Sequence, residues 1–315
     1  MNLTLNFTEL SKKDTDIAGG KGASLGEMTQ AGIPVPPGFV VLSTTFDKFI
    51  LEADLAQEIH SILDYVNNKE IYTVDIASER IQKLIKNAKM PADIAKEIKS
   101  KFKLLDAEFV AVRSSATAED GADNAWAGQL DSFLNTKEDS LLEKVQLCWA
   151  SLFTPRAIFY RFEKGLHKTK ISVAVVVQKM VNSEVSGIAF SVHPVTEDRN
   201  QMIIEAGFGL GEAIVSGQIT PDSYVIEKKE NMILDVNISE QKRMLIKKNN
   251  GGSEWVEVPI SKQNQQKMPG KDVVTFGKLI LKIENHYGFP CDIEWAYEKG
   301  KFYIVQSRPI TTLTK

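Results

Sequence analysis

The chain has 315 residues, 43% of them apolar, a formal net charge of −3 and a pI near 5.9. That length and apolar content suit about two domains of roughly 150 residues, each with a sizeable core. The mild acidity leaves no basic footprint for nucleic acid, and the longest apolar run, Val173 to Val177, is far too short to span a bilayer, so neither is expected as a partner.

In chain order, the first seven residues predict a short strand and lack the basic and apolar regions of a secretory signal, so the chain is expected to be cytoplasmic. Ala18-Gly19-Gly20-Lys21-Gly22 leads into a predicted helix from Ala23 to about Ala31, stopped by Gly32, after which Ile33 to Leu42 runs extended into a strand. Thr44 to Phe102 is predicted mostly helical, with Leu, Ile and Ala recurring every three or four residues. Phe109 to Arg113 reads as a buried strand. Ser114 to Gln129 reads as a loop of small polar residues, long enough inside a compact domain to point to function. A helix from Leu141 to Phe162 precedes the β-branched run Ile171 to Val181, a central strand, and a second strand, Ser186 to Ser191. Ile203 to Glu212 passes from strand through Gly207-Phe208-Gly209-Leu210-Gly211 to helix, and Tyr224 to Glu227 resumes a strand. Lys247 to Lys271 is polar, turns at Asn249-Asn250-Gly251-Gly252 and is expected to be largely mobile, before a helix from Val273 to Tyr287. Helices followed by mixed strands, without an internal repeat, predict an α+β fold rather than a doubly wound sheet.

The last stretch, Cys291 to Pro309, reads as two alternating strands joined by a short turn. With a three-residue loop, Glu298-Lys299-Gly300, even-numbered residues face even-numbered ones, and Asp292, Glu294, Gln306 and Arg308 share a face. Two acids and an amide oxygen suit a hard cation, and the guanidinium beside them suits phosphate oxygens. The alternative is a plain hairpin with a polar outer face over an apolar underside of Ile293, Trp295, Tyr303 and Val305; a two-residue Lys299-Gly300 turn would separate Glu294 from Gln306.

Three further motifs bear on the chemistry. Gly19-Gly20-Lys21-Gly22 offers a cation and backbone N–H groups at a helix start, which suits phosphate but lacks Walker A spacing; a surface loop with a solvated lysine is the alternative. Gly207 to Gly211 follows a strand, yet Glu212 stands at the third-glycine position of a dinucleotide fingerprint, so Rossmann binding is rejected and a close-approach turn remains open. Arg113, at a strand end before a small-residue loop, suits clamping a polyphosphate under a movable cover, and Glu119, Asp120 and Asp123 read as that loop's solvated rim. His60, His167, His193 and His286 lack ligand spacing, and Cys148 and Cys291 are expected to be reduced and structural.

As a set, Gly19 to Met28, Pro34 to Phe39, Val112 to Asp120, Ala127-Gly128-Gln129, Gly207 to Glu212, and Asp292 to Trp295 with Gln306 to Pro309 resemble the nucleotide-binding domain of the dikinase family. That family includes phosphoenolpyruvate synthase, pyruvate phosphate dikinase and rifampin phosphotransferase. The resemblance implies an ATP-grasp fold of two α+β lobes, 1–190 and 191–315, with ATP between them. It implies that Lys21 and Arg113 hold phosphates, Glu294 and Gln306 bind Mg²⁺, Asp292 supports that site and Arg308 contacts the transferring phosphoryl group. It also implies that Gln129 belongs to the cofactor site, that Gln178, Met180 and Val181 edge the adenine, and that Glu205 lies near the sugar or hinge. Gly121-Ala122 replaces the family's Leu-Pro in the cover loop, and Asn124-Ala125-Trp126 its Ala-Ser-Phe, which alters the loop's stiffness and its contact with an acceptor.

The family's swivelling domain carries a phosphoryl-accepting histidine, and no histidine in this chain has that context. The implied partner is therefore a phosphohistidine domain, in cis or in trans, and the implied activity is phosphoryl transfer from ATP ultimately to pyruvate. The alternatives are a rifampin phosphotransferase-like acceptor, a non-catalytic ATP-responsive module and, more weakly, a carboxylate-amine ligase.

Overall fold

The computed structural model describes residues 2–117, 131–166 and 172–313. The chain divides into two units, one holding the residues up to Glu27 with Pro37–Met180, the other Met28–Pro36 with the residues from Val181 onward. Every strand pairing among the described residues is antiparallel, which gives an α+β architecture.

The first unit contains β1 (Thr4–Asn6), α1 (Thr15–Gln30, whose last turn falls in the second unit), β2 (Gly38–Val41), α2 (Ser43–Glu52), α3 (Ala56–Asp64), α4 (Ile71–Asn87) and α5 (Ala92–Leu104). It continues with β3 (Val110–Ala116), β4 (Ser132–Thr136), α6 (Glu138–Ala150), α7 (Pro155–Glu163) and β5 (Val173–Lys179). The sheet order β1-β2-β5-β3-β4 puts the β-branched run at its centre, as the sequence predicts. Phe39, Val41, Val110, Val112, Val173, Val175 and Val177 face helices α2 to α7, where Phe46 and Phe49 pack on the buried Trp149. Each such side chain taken fully out of water contributes about 1.5–3 kcal/mol. The opposite face carries Ala111, Arg113, Ser115, Val176, Gln178 and Val40, and α1 lies on it, with Gly22 against Val40.

Three boundaries differ from expectation. Ser114–Ala116 continue β3 and pair with β5 instead of opening a loop. The helix predicted from Leu141 to Phe162 is two helices, because a turn at Ser151–Phe153 intervenes and Thr154 caps α7, accepting a hydrogen bond from the Ala157 N–H at 3.2 Å with Pro155 in the first helical position. α1 begins at Thr15 and kinks at Gly19, so Gly20, Lys21 and Gly22 are already helical.

The second unit contains β6 (Val185–Phe190), β7 (Gln201–Phe208), α8 (Glu212–Val215), β8 (Asp222–Glu227), β9 (Met232–Asn237), β10 (Arg243–Lys247), β11 (Ser253–Glu257), α9 (Ile260–Gln263), α10 (Gly270–Tyr287), β12 (Cys291–Glu298) and β13 (Lys301–Pro309). Six strands in the order β13-β12-β6-β7-β8-β9 form one sheet, and β10 with β11 a separate hairpin. Residues 185–190, inside the first lobe by the sequence division at 190, pair here with β7 and β12. α10 covers one face: Phe276 lies 4.8 Å from both the Trp295 and Phe302 rings, and Ile293, Ile304, Ile204 and Tyr224 are buried beside them. Along the outer edge of β13, the Ile304 N–H donates to the Pro34 carbonyl at 2.9 Å, so the proline-rich segment shields that edge.

The stretch expected to be mobile is instead fastened down. Lys267 and Asp222 have fully buried side chains, with Lys267 Nζ 2.8 Å from Asp222 Oδ1 and also bonded to the Ser239 carbonyl. Asp222 further accepts from the Ser239 and Lys267 backbone N–H groups and from the Tyr224 hydroxyl. Polarity concealed this order, because a buried charge is tolerated only when paired and hydrogen-bonded. Asn249-Asn250-Gly251-Gly252 does turn the chain, between β10 and β11.

Candidate functional site

The hairpin brings four of the predicted residues to one face by a route the sequence reading did not contain. Lys299 (φ 48°) and Gly300 (φ 78°) form a two-residue turn closing the Glu298↔Lys301 pair, not a three-residue loop. Unbroken, that register would set Glu294 opposite Val305 and turn Gln306 to the other face. A bulge intervenes: Trp295 pairs with Ile304 and Glu294 with Gln306, leaving Val305 as the extra residue. Asp292 then faces Arg308, and Ile304 joins Ile293 and Trp295 in the core, while Tyr303, expected underneath, shares the face of Glu294.

Sheet register extends this face. Gln306 faces Glu294, Glu294 faces Ile188 on β6, and Ile188 faces Glu205 on β7, so Glu205 lies in the same cross-strand row. Beside that row, Arg308 donates to Asp292 Oδ2 from Nε at 2.8 Å, with Nη2 at the same distance, which fixes the plane of the guanidinium. Burial pushes the Asp292 carboxyl above its ordinary value, Arg308 pulls it back and the charge of Glu294 raises it again. Glu205 is raised by burial and then by the charge of Asp292. Among the described residues no three His, Cys, Asp or Glu converge closely enough to hold a metal ion by themselves. A hard cation that keeps waters and binds phosphate fits such a set, since it needs only one or two protein oxygens.

Glu205 yields a signed prediction. Both causes favour its protonated form in the folded chain, so its ionised form subtracts stability at neutral pH; that loss begins to shrink as pH falls to the raised titration and is gone only below the ordinary carboxylate value. Glu205→Gln should raise the melting temperature of the ligand-free protein, by about 1–2 °C given the solvent screening of a half-buried group. A lower melting temperature would show that the carboxylate has a stabilising partner.

In the first unit, Arg113 and Gln178 point to the sheet face opposite the helical core, from β3 and β5 respectively. Lys21 lies in the first helical turn after the kink at Gly19 on that same side of the sheet. Gly19 holds φ +65°, and a Cβ there would sit 2.3 Å from Ser115 Oγ and 2.4 Å from its carbonyl oxygen, so only glycine fits. Ser115 also accepts the Gly22 N–H at 3.3 Å; the sequence reading placed this serine in the cover loop and missed its part. Met180 follows β5, its N–H donating to the Phe109 carbonyl at 3.0 Å, and Val181 begins the second unit. Gln129 and the acidic residues Glu119, Asp120 and Asp123 lie outside the described residues, as does His167.

The glycine run after β7 is the close-approach turn. Gly209, at φ +88°, passes so near the Leu245 carbonyl that a Cβ would lie 2.4 Å from its oxygen. The N–H groups of Phe208, Gly209 and Leu210 donate to Gln241 Oε1, the Glu184 carbonyl and the Leu245 carbonyl, so they are spent on the protein and not on an anion. Cys148 and Cys291 are buried without a disulfide, and burial pushes both thiols up to about 12. No helix among the described residues is long and apolar enough to cross a membrane.

Residues 15–315 match the family described as pyruvate phosphate dikinase, AMP/ATP-binding domain. The chain is 47% identical over 98% of its length to a probable phosphoenolpyruvate synthase of Methanocaldococcus jannaschii, covering 26% of that protein. It is 42% identical over 98% of its length to the phosphoenolpyruvate synthase of Pyrococcus furiosus, covering 43%. It is 36% identical over 99% of its length to the rifampicin phosphotransferase of Bacillus subtilis, covering 36%. The chain thus spans less than half the length of these relatives.

Proposed function

Since this chain belongs to the pyruvate phosphate dikinase AMP/ATP-binding domain family, we propose that it binds Mg·ATP as the nucleotide-binding part of a phosphoenolpyruvate synthase-like phosphotransferase. In this reading the two units are the lobes of an ATP-grasp fold, and the phosphoryl group passes to a histidine on a separate domain, in cis or in trans, and ultimately to pyruvate. The observation that carries it is the register of the second sheet, which sets Glu294, Gln306 and Glu205 in one row beside the Asp292–Arg308 pair.

Roles follow from charge and donor type. Glu294 and Gln306 supply oxygens for Mg²⁺, which when bound screens the phosphate charges. Asp292 orients Arg308, whose planar donors meet the transferring group, while Lys21 and Arg113 hold phosphate oxygens. Gln178, Met180 and Val181 edge the adenine, and Glu205 accepts from the sugar. The chain needs no nucleophile of its own, because phosphoryl transfer depends mainly on positioning and charge neutralisation. Pyruvate is preferred to rifampicin as final acceptor because the phosphoenolpyruvate synthases are the more similar relatives.

Thermal unfolding tests the reading. A ligand that binds only the folded state at a hundred times its dissociation constant adds about 2.7 kcal/mol, and each kcal/mol moves the midpoint of a domain of this size by roughly 2–4 °C. Saturating Mg·ATP should raise the melting temperature by several degrees. Glu294→Ala and Gln306→Ala should each reduce the shift, and the double variant should add little to either, because both ligate one ion. No shift in the folded wild type would reject the assignment, and additive losses would reject the shared ion.

A further inference from the structure

The adjacent residues Ser114 and Ser115 are both buried in β3, and they face opposite sides of the sheet. Ser114 faces the helical core: its hydroxyl lies 3.1 Å from the Asp131 carbonyl, 3.3 Å from that of Cys148 and 3.0 Å from Ser151 Oγ. Ser115 faces α1. Its backbone carbonyl and hydroxyl crowd the site where Gly19 would carry a Cβ, and its hydroxyl accepts the Gly22 N–H.

Helix starts leave their first N–H groups without intrahelical partners, and a side chain at the capping position ordinarily accepts one of them. The helix resumes directly after Gly19, which has no side chain to do so. Ser115 supplies the missing oxygen from β3, and that strand carries Arg113 two residues earlier on the same face. The contact therefore ties the turn bearing Lys21 to the strand bearing Arg113.

We propose that Ser115 is a positioning residue for phosphate binding: it holds the Gly19–Gly22 turn against β3 so that Lys21 and Arg113 keep the spacing a polyphosphate requires. The inference rests on the nucleotide reading above. A structural serine such as Ser114 would contribute to folding and leave discrimination between ligands unchanged.

The experiment compares Ser115→Ala with Ser114→Ala, measuring affinity for ATP with Mg²⁺, affinity for adenosine, and thermal unfolding. Ser115→Ala should weaken ATP about five- to tenfold, the scale of one lost helix cap, leave adenosine within about twofold, and lower the melting temperature by no more than about 4 °C. Ser114→Ala should lower the melting temperature and leave both affinities within about twofold. Equal losses for ATP and adenosine in Ser115→Ala, or an unchanged ATP affinity, overturn the proposal. If Ser115→Ala fails to fold, Ser115→Cys, which keeps the size but accepts weakly, carries the same comparison. A folded wild type that binds neither compound overturns the nucleotide reading and this proposal with it, whereas wild-type binding with an indifferent Ser115 variant overturns the proposal alone.

Discussion

Lys267→Met should lower the stability of the protein by about 3–5 kcal/mol, the cost of removing one partner from a buried ion pair and leaving the other charge uncompensated. The ammonium has three jobs at once: it neutralises Asp222, donates to the Ser239 carbonyl and lies 5.6 Å from the Phe208 ring. At 2–4 °C for each kcal/mol, the melting temperature should fall by roughly 6–20 °C. Asp222→Asn in the same chain should recover part of the loss, since it removes the uncompensated buried charge while its one amide oxygen still accepts from either the Ser239 or the Lys267 N–H, which in the wild type donate to separate carboxylate oxygens. A fall below about 2 °C for the single variant, or no recovery in the double one, would mean the pair is not desolvated as the structure has it.

Lys21→Ala and Arg113→Ala should each reduce phosphoryl transfer about 10²–10³-fold, equivalent to about 2.7–4 kcal/mol of barrier, while changing stability far less. Neither side chain belongs to the helical core of its unit; Arg113 stands on the other face of its sheet and Lys21 in the turn after Gly19. The measurement is formation of phosphohistidine on a matching histidine domain, supplied in cis or in trans, alongside thermal unfolding. A variant that phosphorylates that domain at the wild-type rate, or whose lost activity follows its lost melting temperature, would remove these residues from the proposed phosphate site.

Much of this was legible where burial and alternation coincide. β5 and α10 carry their buried faces openly, and the alternation of Asp292, Ile293, Glu294 and Trp295 marks β12 as a strand with one polar face. The pairing of Glu294 with Gln306 was also legible, though for the wrong reason: the turn is shorter than expected and the bulge at Val305 restores the faces. Ile304 and Val305 are both apolar and β-branched, so nothing local says which belongs to the core. β9 was missed because it is an edge strand, with Met232, Leu234 and Val236 all exposed, and so has no buried alternation to detect. The early start of α1 was hidden by its glycines, poor helix formers that close packing requires: a Cβ on Gly26 would lie 2.5 Å from that of Leu10. The polar stretch Lys247 to Lys271 gave no sign of a buried anchor because Asp222, the partner of Lys267, lies 45 residues away in sequence.

The assignment of Met28–Pro36 to the second unit means that the covalent chain passes between the units three times. Neither unit is therefore a continuous stretch that could be inherited, expressed or deleted as a cassette. A fragment starting at Val181 would lack the Pro34 carbonyl that the Ile304 N–H uses, exposing the outer edge of the strand that bears Gln306 and Arg308. During synthesis the segment is made early and waits through about 270 residues for its partner Ile304 to emerge, so the second unit closes only when sequence-distant pieces meet, a loop-closure cost that slows folding. A single proteolytic cut at one of the three crossings would still leave the units joined through the others.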